Sequence, residues 1–244
     1  MNRRCYSDGW QFTSYPLKQP LLLLSGLLCD DTIWADIPAR LADVADVRIV
    51  SFRGFSSISA MAEHVLALGC ERFAAAGHSM GGRVALEVLR AAPHRVTGLA
   101  LLNTGIQTVR DGEPQSRGRL LRLAYEQGMS ALAAEWLPPL MASGARSEDL
   151  MPRLTAMVQR STPDSYAAQI NALLHRPEAL PMLPTIAVPT LLLSGSEDVW
   201  SQHESMRRRI PHATLFEVHG AGHMAPIERP DAVAIALREW LAGI

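Results

Sequence analysis

The chain has 244 residues, 48% of them hydrophobic and 19% charged, enough apolar material for one large domain, or one domain with a sizeable insertion, and too much for a disordered segment. Lys+Arg 23 against Asp+Glu 24 leaves a formal charge of -1, so no basic excess exists to neutralise phosphates and nucleic acid is excluded as the main partner. Lys18 is the only lysine, which rules out a P-loop and leaves Schiff-base chemistry no other candidate.

Near the N-terminus, Arg3 and Arg4 precede the apolar run Leu21-Leu22-Leu23-Leu24-Ser25-Gly26-Leu27-Leu28-Cys29. The run is far shorter than the roughly 20 residues of a membrane span. It also lacks a compact basic region before it, so it reads as a buried strand with its loop and not as a leader or membrane anchor. Cys5, Cys29 and Cys70 are odd in number and widely spaced. They suit a reducing cytoplasm, the expected location, better than a disulfide framework or a zinc site.

Short apolar runs then alternate with helix-period segments, the pattern of a mostly parallel sheet covered by helices. Strands are expected at 21–24, 47–52, 72–77, 96–103, 190–194 and 214–218. Helices are expected at 33–41, 58–68, 80–91, 202–209 and 231–241, with Pro230 at the start of the last. From about Gly105 to Pro189 the rhythm breaks. That stretch holds amphipathic pieces at 118–126, 130–141, 148–158 and 165–175, punctuated by residues such as Gly128, Pro138, Pro139 and Pro163, and no strand. The expected organisation is therefore a core built from 1–105 and 189–244, with a helical insertion at 106–188 over a sheet edge. Extra crossover helices without function are the plainer alternative.

Gly77-His78-Ser79-Met80-Gly81 matches G-x-S-x-G, in which a serine occupies a strained strand-to-helix turn between glycines that let the two elements approach. The motif alone is weak, since a turn with several glycines would also match. Its context is stronger: a strand-like run from Arg72 to Ala76 precedes it and a helix-period run from Arg83 to Arg90 follows. A serine hydroxyl is inert at neutral pH unless a base takes its proton and a carboxylate orients that base. The order for this elbow is serine, acid, histidine. Asp198, after the strand that ends in Leu191-Leu192-Leu193, supplies the acid, with Glu197 its less favoured neighbour. His223, in the loop after the strand 214–218, supplies the base. All three fall at carboxyl ends of expected strands, on one sheet edge. The other histidines, His78 and His203 among them, read as surface or packing residues. The oxyanion that forms during acyl transfer needs donors, and the backbone N–H groups of Met80 and Leu27 are the candidates.

Together these residues resemble the α/β-hydrolase superfamily over essentially the whole chain. The resemblance is carried by the Ser25-Gly26 loop, the 77–82 elbow, Gly195-Ser196-Glu197-Asp198, and the run from Gly222 to Pro230. It is nearest to small bacterial members with a helical lid: carboxylesterases, pimeloyl-carrier methyl ester esterase, 3-oxoadipate enol-lactonase and meta-cleavage C–C hydrolases. The resemblance implies the α/β-hydrolase fold, with an eight-stranded, mostly parallel central sheet flanked by helices and a helical cap, and a metal-free Ser–His–Asp mechanism without cofactor. Serine at the elbow implies acyl chemistry, where relatives with aspartate there attack carbon. Two departures touch the site entrance: Ser25-Gly26 replaces the usual His-Gly, and Ser51-Phe52-Arg53-Gly54-Phe55 lacks the usual acid. The stretch before Leu21 is also short for the two antiparallel strands the family places there.

The expected function is hydrolysis of a small carboxylic ester through an acyl-enzyme, by a monomer or homodimer with no membrane partner. Lactone hydrolysis or C–C bond hydrolysis would use the same three residues, and a non-catalytic ligand-binding homologue is the alternative of a different class. Trp136, Met141 and Tyr166 are the candidate pocket walls, giving an apolar pocket for short or medium acyl chains. Trp34 and Trp200 read as packing. No arginine cluster stands out, and Arg53, in the shortened entrance loop, is the best candidate for holding a substrate carboxylate.

Overall fold

A computed structural model describes residues 18–145 and 149–244. The expected N-terminal antiparallel strands fall within residues 1–17, outside the described residues, as do Cys5 and residue 148 of the expected insertion helix.

Six parallel strands form one sheet: β1 Gln19–Leu24, β2 Ala45–Val50, β3 Phe73–His78, β4 Val96–Leu102, β5 Thr190–Gly195 and β6 Thr214–Val218, in the spatial order β2-β1-β3-β4-β5-β6. The eight strands implied by the resemblance are therefore six among the described residues. The four leucines of β1 and all six residues of β3 are buried. Strands covered on both faces carry continuous apolar runs in place of alternation, which is why these two stood out in the sequence. Each such leucine contributes about 2 kcal/mol through burial.

The chain leaves β1 toward β2 in one direction and runs from β3 to β6 in the other, so the strand order reverses between β1 and β3. Right-handed crossovers then place the connecting helices on opposite faces. Helix α1 (Ile37–Leu41) packs on β2, and against the last helix, labelled α9 below. On the other face, α2 (Ile58–Leu66) and α3 (Met80–Ala91) pack together, with α3 over β3 and β4. The carboxyl ends beside a reversal of this kind form a crevice in which ligands bind.

Between β4 and β5 lies the helical insertion: α4 (Glu113–Trp136), α5 (Leu150–Gln159) and α6 (Pro163–Leu174). Two expected helices merge into α4, which is broken at Gly128, where φ is 83° and ψ 174°. Thr162 caps α6 by accepting from the Ser165 N–H at 3.1 Å, with Pro163 in its first turn. The rest comprises α7 (His203–Arg207), α8 (Ala225–Glu228) and α9 (Pro230–Leu241). The expected helix at 33–41 is instead a 3-10 turn at Asp31–Trp34 followed by α1. Ala35, with φ of 44°, separates them. Among the described residues, no helix is long and apolar enough to cross a membrane.

The contact between β1, β3 and α3 admits no side chain at two positions. A Cβ on Gly77 would lie 2.3 Å from the Gly81 carbonyl oxygen, and one on Gly81 would lie 2.0 Å from that of Leu24. Gly81→Ala is therefore expected to destabilise the protein by about 3 kcal/mol. Gly118→Ala, on α4, meets nothing closer than an arginine terminus at 3.9 Å and is expected to stabilise by about 0.5–1 kcal/mol. Urea unfolding of both variants checks the contrast.

Candidate active site

Ser79 joins β3 to α3 with φ of 54° and ψ of -114°, a conformation that disfavours any residue but glycine. Its neighbours fix it there. The Ser79 N–H donates to Leu102 O at 2.9 Å, and its carbonyl accepts from Gly82 N at 3.0 Å and from the Thr104 hydroxyl at 2.6 Å. Met80 follows as the first residue of α3, with no helical turn before it to accept from its N–H.

His223, in the loop after β6, places its Nε2 2.9 Å from Ser79 Oγ. Its Nδ1 lies 3.1 Å from both carboxylate oxygens of Asp198, which follows β5. Asp198 has a fully buried side chain, while that of His223 is 11% exposed. Burial alone would raise the Asp198 pKa, but His223, Ser201 and Asn103 more than offset it and hold the carboxyl far below the usual range. The Asn103 amide donates to Asp198 Oδ2 at 2.8 Å, and the Trp200 N–H to Oδ1 at 2.9 Å. With Nδ1–H donating to Asp198, Nε2 presents its lone pair to the serine hydroxyl.

The loop carrying His223 is tied to the insertion by residues the sequence reading did not single out. The His223 N–H donates to Leu140 O at 2.7 Å. Glu228, buried in α8, accepts from the N–H groups of Ala142 (2.9 Å), Gly222 (3.0 Å) and Met224 (2.9 Å). Burial nonetheless pushes its carboxyl above the ordinary glutamate value. Glu197, the less favoured acid, points elsewhere and accepts from the Ser143 N–H and hydroxyl. Glu228 falls inside the run from Gly222 to Pro230 that carries the resemblance, but one sequence assigns no role to it or to Asn103.

His78, expected to be surface or packing, is buried, and its Nε2–H donates to the His223 carbonyl at 2.8 Å. It packs edge-on against Trp34, whose indole N–H donates to the Ser25 hydroxyl at 3.1 Å. Ser25 thus fills the place of the usual histidine with a buried hydroxyl that braces the first loop. Burial, and then the proximity of His223, push the His78 pKa down to about 3. His203, behind Asp198, is likewise buried and pushed down to about 4.

A cavity of about 680 Å³ opens over these residues and is lined by Leu27, Ser79, Met80, Trp136, Trp200 and His223 among others. Three expected pocket residues lie outside it. Met141 and Tyr166 are buried within the insertion and do not line the cavity. Their apolar character suits packing between helices as well as it suits a pocket wall. Arg53 is also absent from the lining; its guanidinium lies 3.9 Å from Asp30, which Arg160 of the insertion binds through two hydrogen bonds at 2.8 and 3.0 Å. The shortened entrance loop is instead pinned by Gln169 of α6, which donates to Phe52 O at 2.8 Å and accepts from Leu28 N at 2.9 Å. Trp200, read as packing, is 44% exposed at the cavity. Beside the apolar residues of the wall stand Arg83, Arg110, Arg117, Arg119 and Arg176, an arginine cluster that did not stand out in the sequence. Among the described residues, no three His, Cys, Asp or Glu side chains gather into a group that could hold a metal ion.

Residues 21–236 match the model of the alpha/beta hydrolase family. A Haemophilus influenzae relative named "Putative esterase/lipase" is 22% identical over 205 residues, 74% of this chain but only 66% of the relative. A pimeloyl-[acyl-carrier protein] methyl ester esterase from Edwardsiella ictaluri is 27% identical over 93% of this chain and 94% of its own. Among solved structures, a thermophilic esterase from Thermogutta terrifontis superposes with a TM-score of 0.82 at 27% identity, covering 93% of this chain and 90% of the other. With a family match that runs from β1 into α9 and a sheet of the same architecture, the chain belongs to the alpha/beta hydrolase family.

Proposed function

We propose that the protein is a serine esterase that cleaves small carboxylic esters through an acyl-enzyme. The observation that carries this reading is the continuous hydrogen-bonded line Asp198–His223–Ser79 at the floor of the cavity, with separations of 3.1 and 2.9 Å. In this reading His223 Nε2 takes the Ser79 proton as Oγ attacks the ester carbonyl. Asp198 holds the imidazole in the tautomer that makes this possible and stabilises the imidazolium formed. The backbone N–H groups of Leu27 and Met80, both lining the cavity, receive the developing oxyanion. His223 then returns the proton to the leaving alcohol, and water attacks the acyl-enzyme by the same route. The strained Ser79 backbone supports the assignment, since such strain concentrates where function requires it. Relatives and a structural neighbour named as esterases support the ester as substrate.

Ser79→Ala is expected to abolish labelling by a fluorophosphonate probe and to lower kcat by about 10⁴-fold or more. Asp198→Asn is expected to lower kcat by about 10⁴-fold with little change in KM, because the wrong tautomer then faces the serine. Turnover of esters graded by acyl length reads both effects. Near-native kcat in Ser79→Ala would exclude the reading.

The buried neutral histidines also set a pH dependence of stability. A histidine whose pKa falls on folding contributes stability above its unfolded value of about 6.5 and loses it as pH drops toward the folded value. As pH falls below 6.5, His78 should therefore remove on the order of 1 kcal/mol per pH unit. The raised carboxyl of Glu228 acts in the opposite sense, so the wild-type slope is a sum. Subtracting the profile of His78→Gln, measured by urea unfolding at several pH values, isolates the His78 contribution and should leave the shallower slope in the variant.

A further inference from the structure

Arg83 lies on α3, one helical turn beyond Ser79, and lines the same cavity. Only 8% of it is exposed, and one guanidinium nitrogen, Nη1, is buried without any hydrogen-bond partner. Its Nη2 donates to Gln107 O at 2.6 Å, a neutral acceptor. Buried guanidinium groups normally sit against carboxylates, because an uncompensated charge there is costly.

The acid that would neutralise Arg83 is already committed. Glu113 binds Arg176 through two hydrogen bonds of 2.8 Å and Arg117 through one of 2.9 Å. Against the cost of burial, these two arginines hold the Glu113 carboxyl down at about 2. Arg119 is paired with Glu135. Five arginines thus line the cavity against three acids, Asp111, Glu113 and Glu135. Arg83 has no carboxylate partner among the described residues; burial, and then the charge of Arg176, push its pKa down to about 9 against the opposing pull of Glu113. Beside it, the buried Gln107 Oε1 has no partner either. Half a turn of that amide would present its NH₂ to the same space.

We infer that the substrate carries a carboxylate which Arg83 binds, so that the enzyme acts on half-esters of dicarboxylic acids or on comparable esters with one free carboxylate, in place of neutral esters. The inference rests on the esterase reading for the cleavage step and adds to it the charge of the molecule cleaved. The cavity volume leaves room for a short chain between the reacting carbonyl and the anion. A charged hydrogen bond of this kind is expected to give about tenfold preference or more.

The test separates binding from chemistry. In the Ser79→Ala protein, calorimetry compares monomethyl adipate with dimethyl adipate, and 4-acetoxybutanoate with its methyl ester. The two pairs place the carboxylate on the acyl and on the alcohol side. Tighter binding of the anionic member of either pair, by about tenfold or more, is the expected result; equal binding in both pairs overturns the inference. In the wild type the same preference should appear in KM. Arg83→Met should reduce the ratio of kcat/KM for anionic over neutral ester toward one, and Arg83→Lys should restore part of it. A parallel loss on both esters would mark Arg83 as merely structural and overturn the inference, and if Arg83→Met does not fold, the comparison of ligand pairs decides alone. Fluorophosphonate labelling of the wild type reports on the serine mechanism independently. Labelling without anion preference defeats only the present inference, and anion preference without labelling defeats only the esterase reading.

Discussion

The structure depends on one close approach of backbones: α3 starts against the ends of β1 and β3 with no side chain between them. Gly77 and Gly81 make that approach possible, each leaving room that a single Cβ would fill. The turn between them forces Ser79 into a positive φ and lifts its hydroxyl clear of the sheet. Asn103, at the end of β4, also has a positive φ, of 50°, and its amide donates to Asp198. Two positive-φ residues that follow adjacent strands therefore carry the proposed nucleophile and a brace for the proposed acid. A strain of this kind, of order 1–3 kcal/mol at each residue, is tolerable because both strands are buried and paired along their length.

From that turn the rest follows by sheet topology. Parallel strands deliver every loop that follows a strand to the same edge, so residues as distant in sequence as 27, 79, 198 and 223 meet without any local signal linking them. This is why the central parts of the site were legible in the sequence. The elbow has a fixed spacing, and each of the other two residues follows a conspicuous apolar run by a few positions. The strands were legible for the same reason, since runs such as Leu21-Leu22-Leu23-Leu24 belong to a sheet covered on both faces.

What escaped the sequence was whatever depends on how the insertion sits. Nothing in its helical periodicity distinguishes Trp136, which lines the cavity, from Tyr166, which is buried away from it. Both are aromatic residues on amphipathic helices. Arg53 and Arg83 were equally indistinct, since the side chain that matters is decided by which acids other arginines have already taken. Arg53 lies near Asp30, whereas the acid nearest to Arg83 is engaged by Arg117 and Arg176. Gln169 and Glu228 were silent because their partners are backbone groups, which leave no trace in residue identity.

The junction between residues 140–143 and the histidine loop has a mechanical consequence. Leu140 accepts from the N–H of His223 itself, and Ala142 shares the Glu228 carboxylate with the residues on either side of that histidine. Ser143 adds two bonds to the neighbour of Asp198. The insertion is thus anchored to the imidazole's own backbone and cannot lift away at this end while the imidazole stays put. Slack introduced anywhere along 140–143 would reach the contact between His223 and Ser79 as misalignment and, under the proposed mechanism, would register in turnover before it registered in affinity.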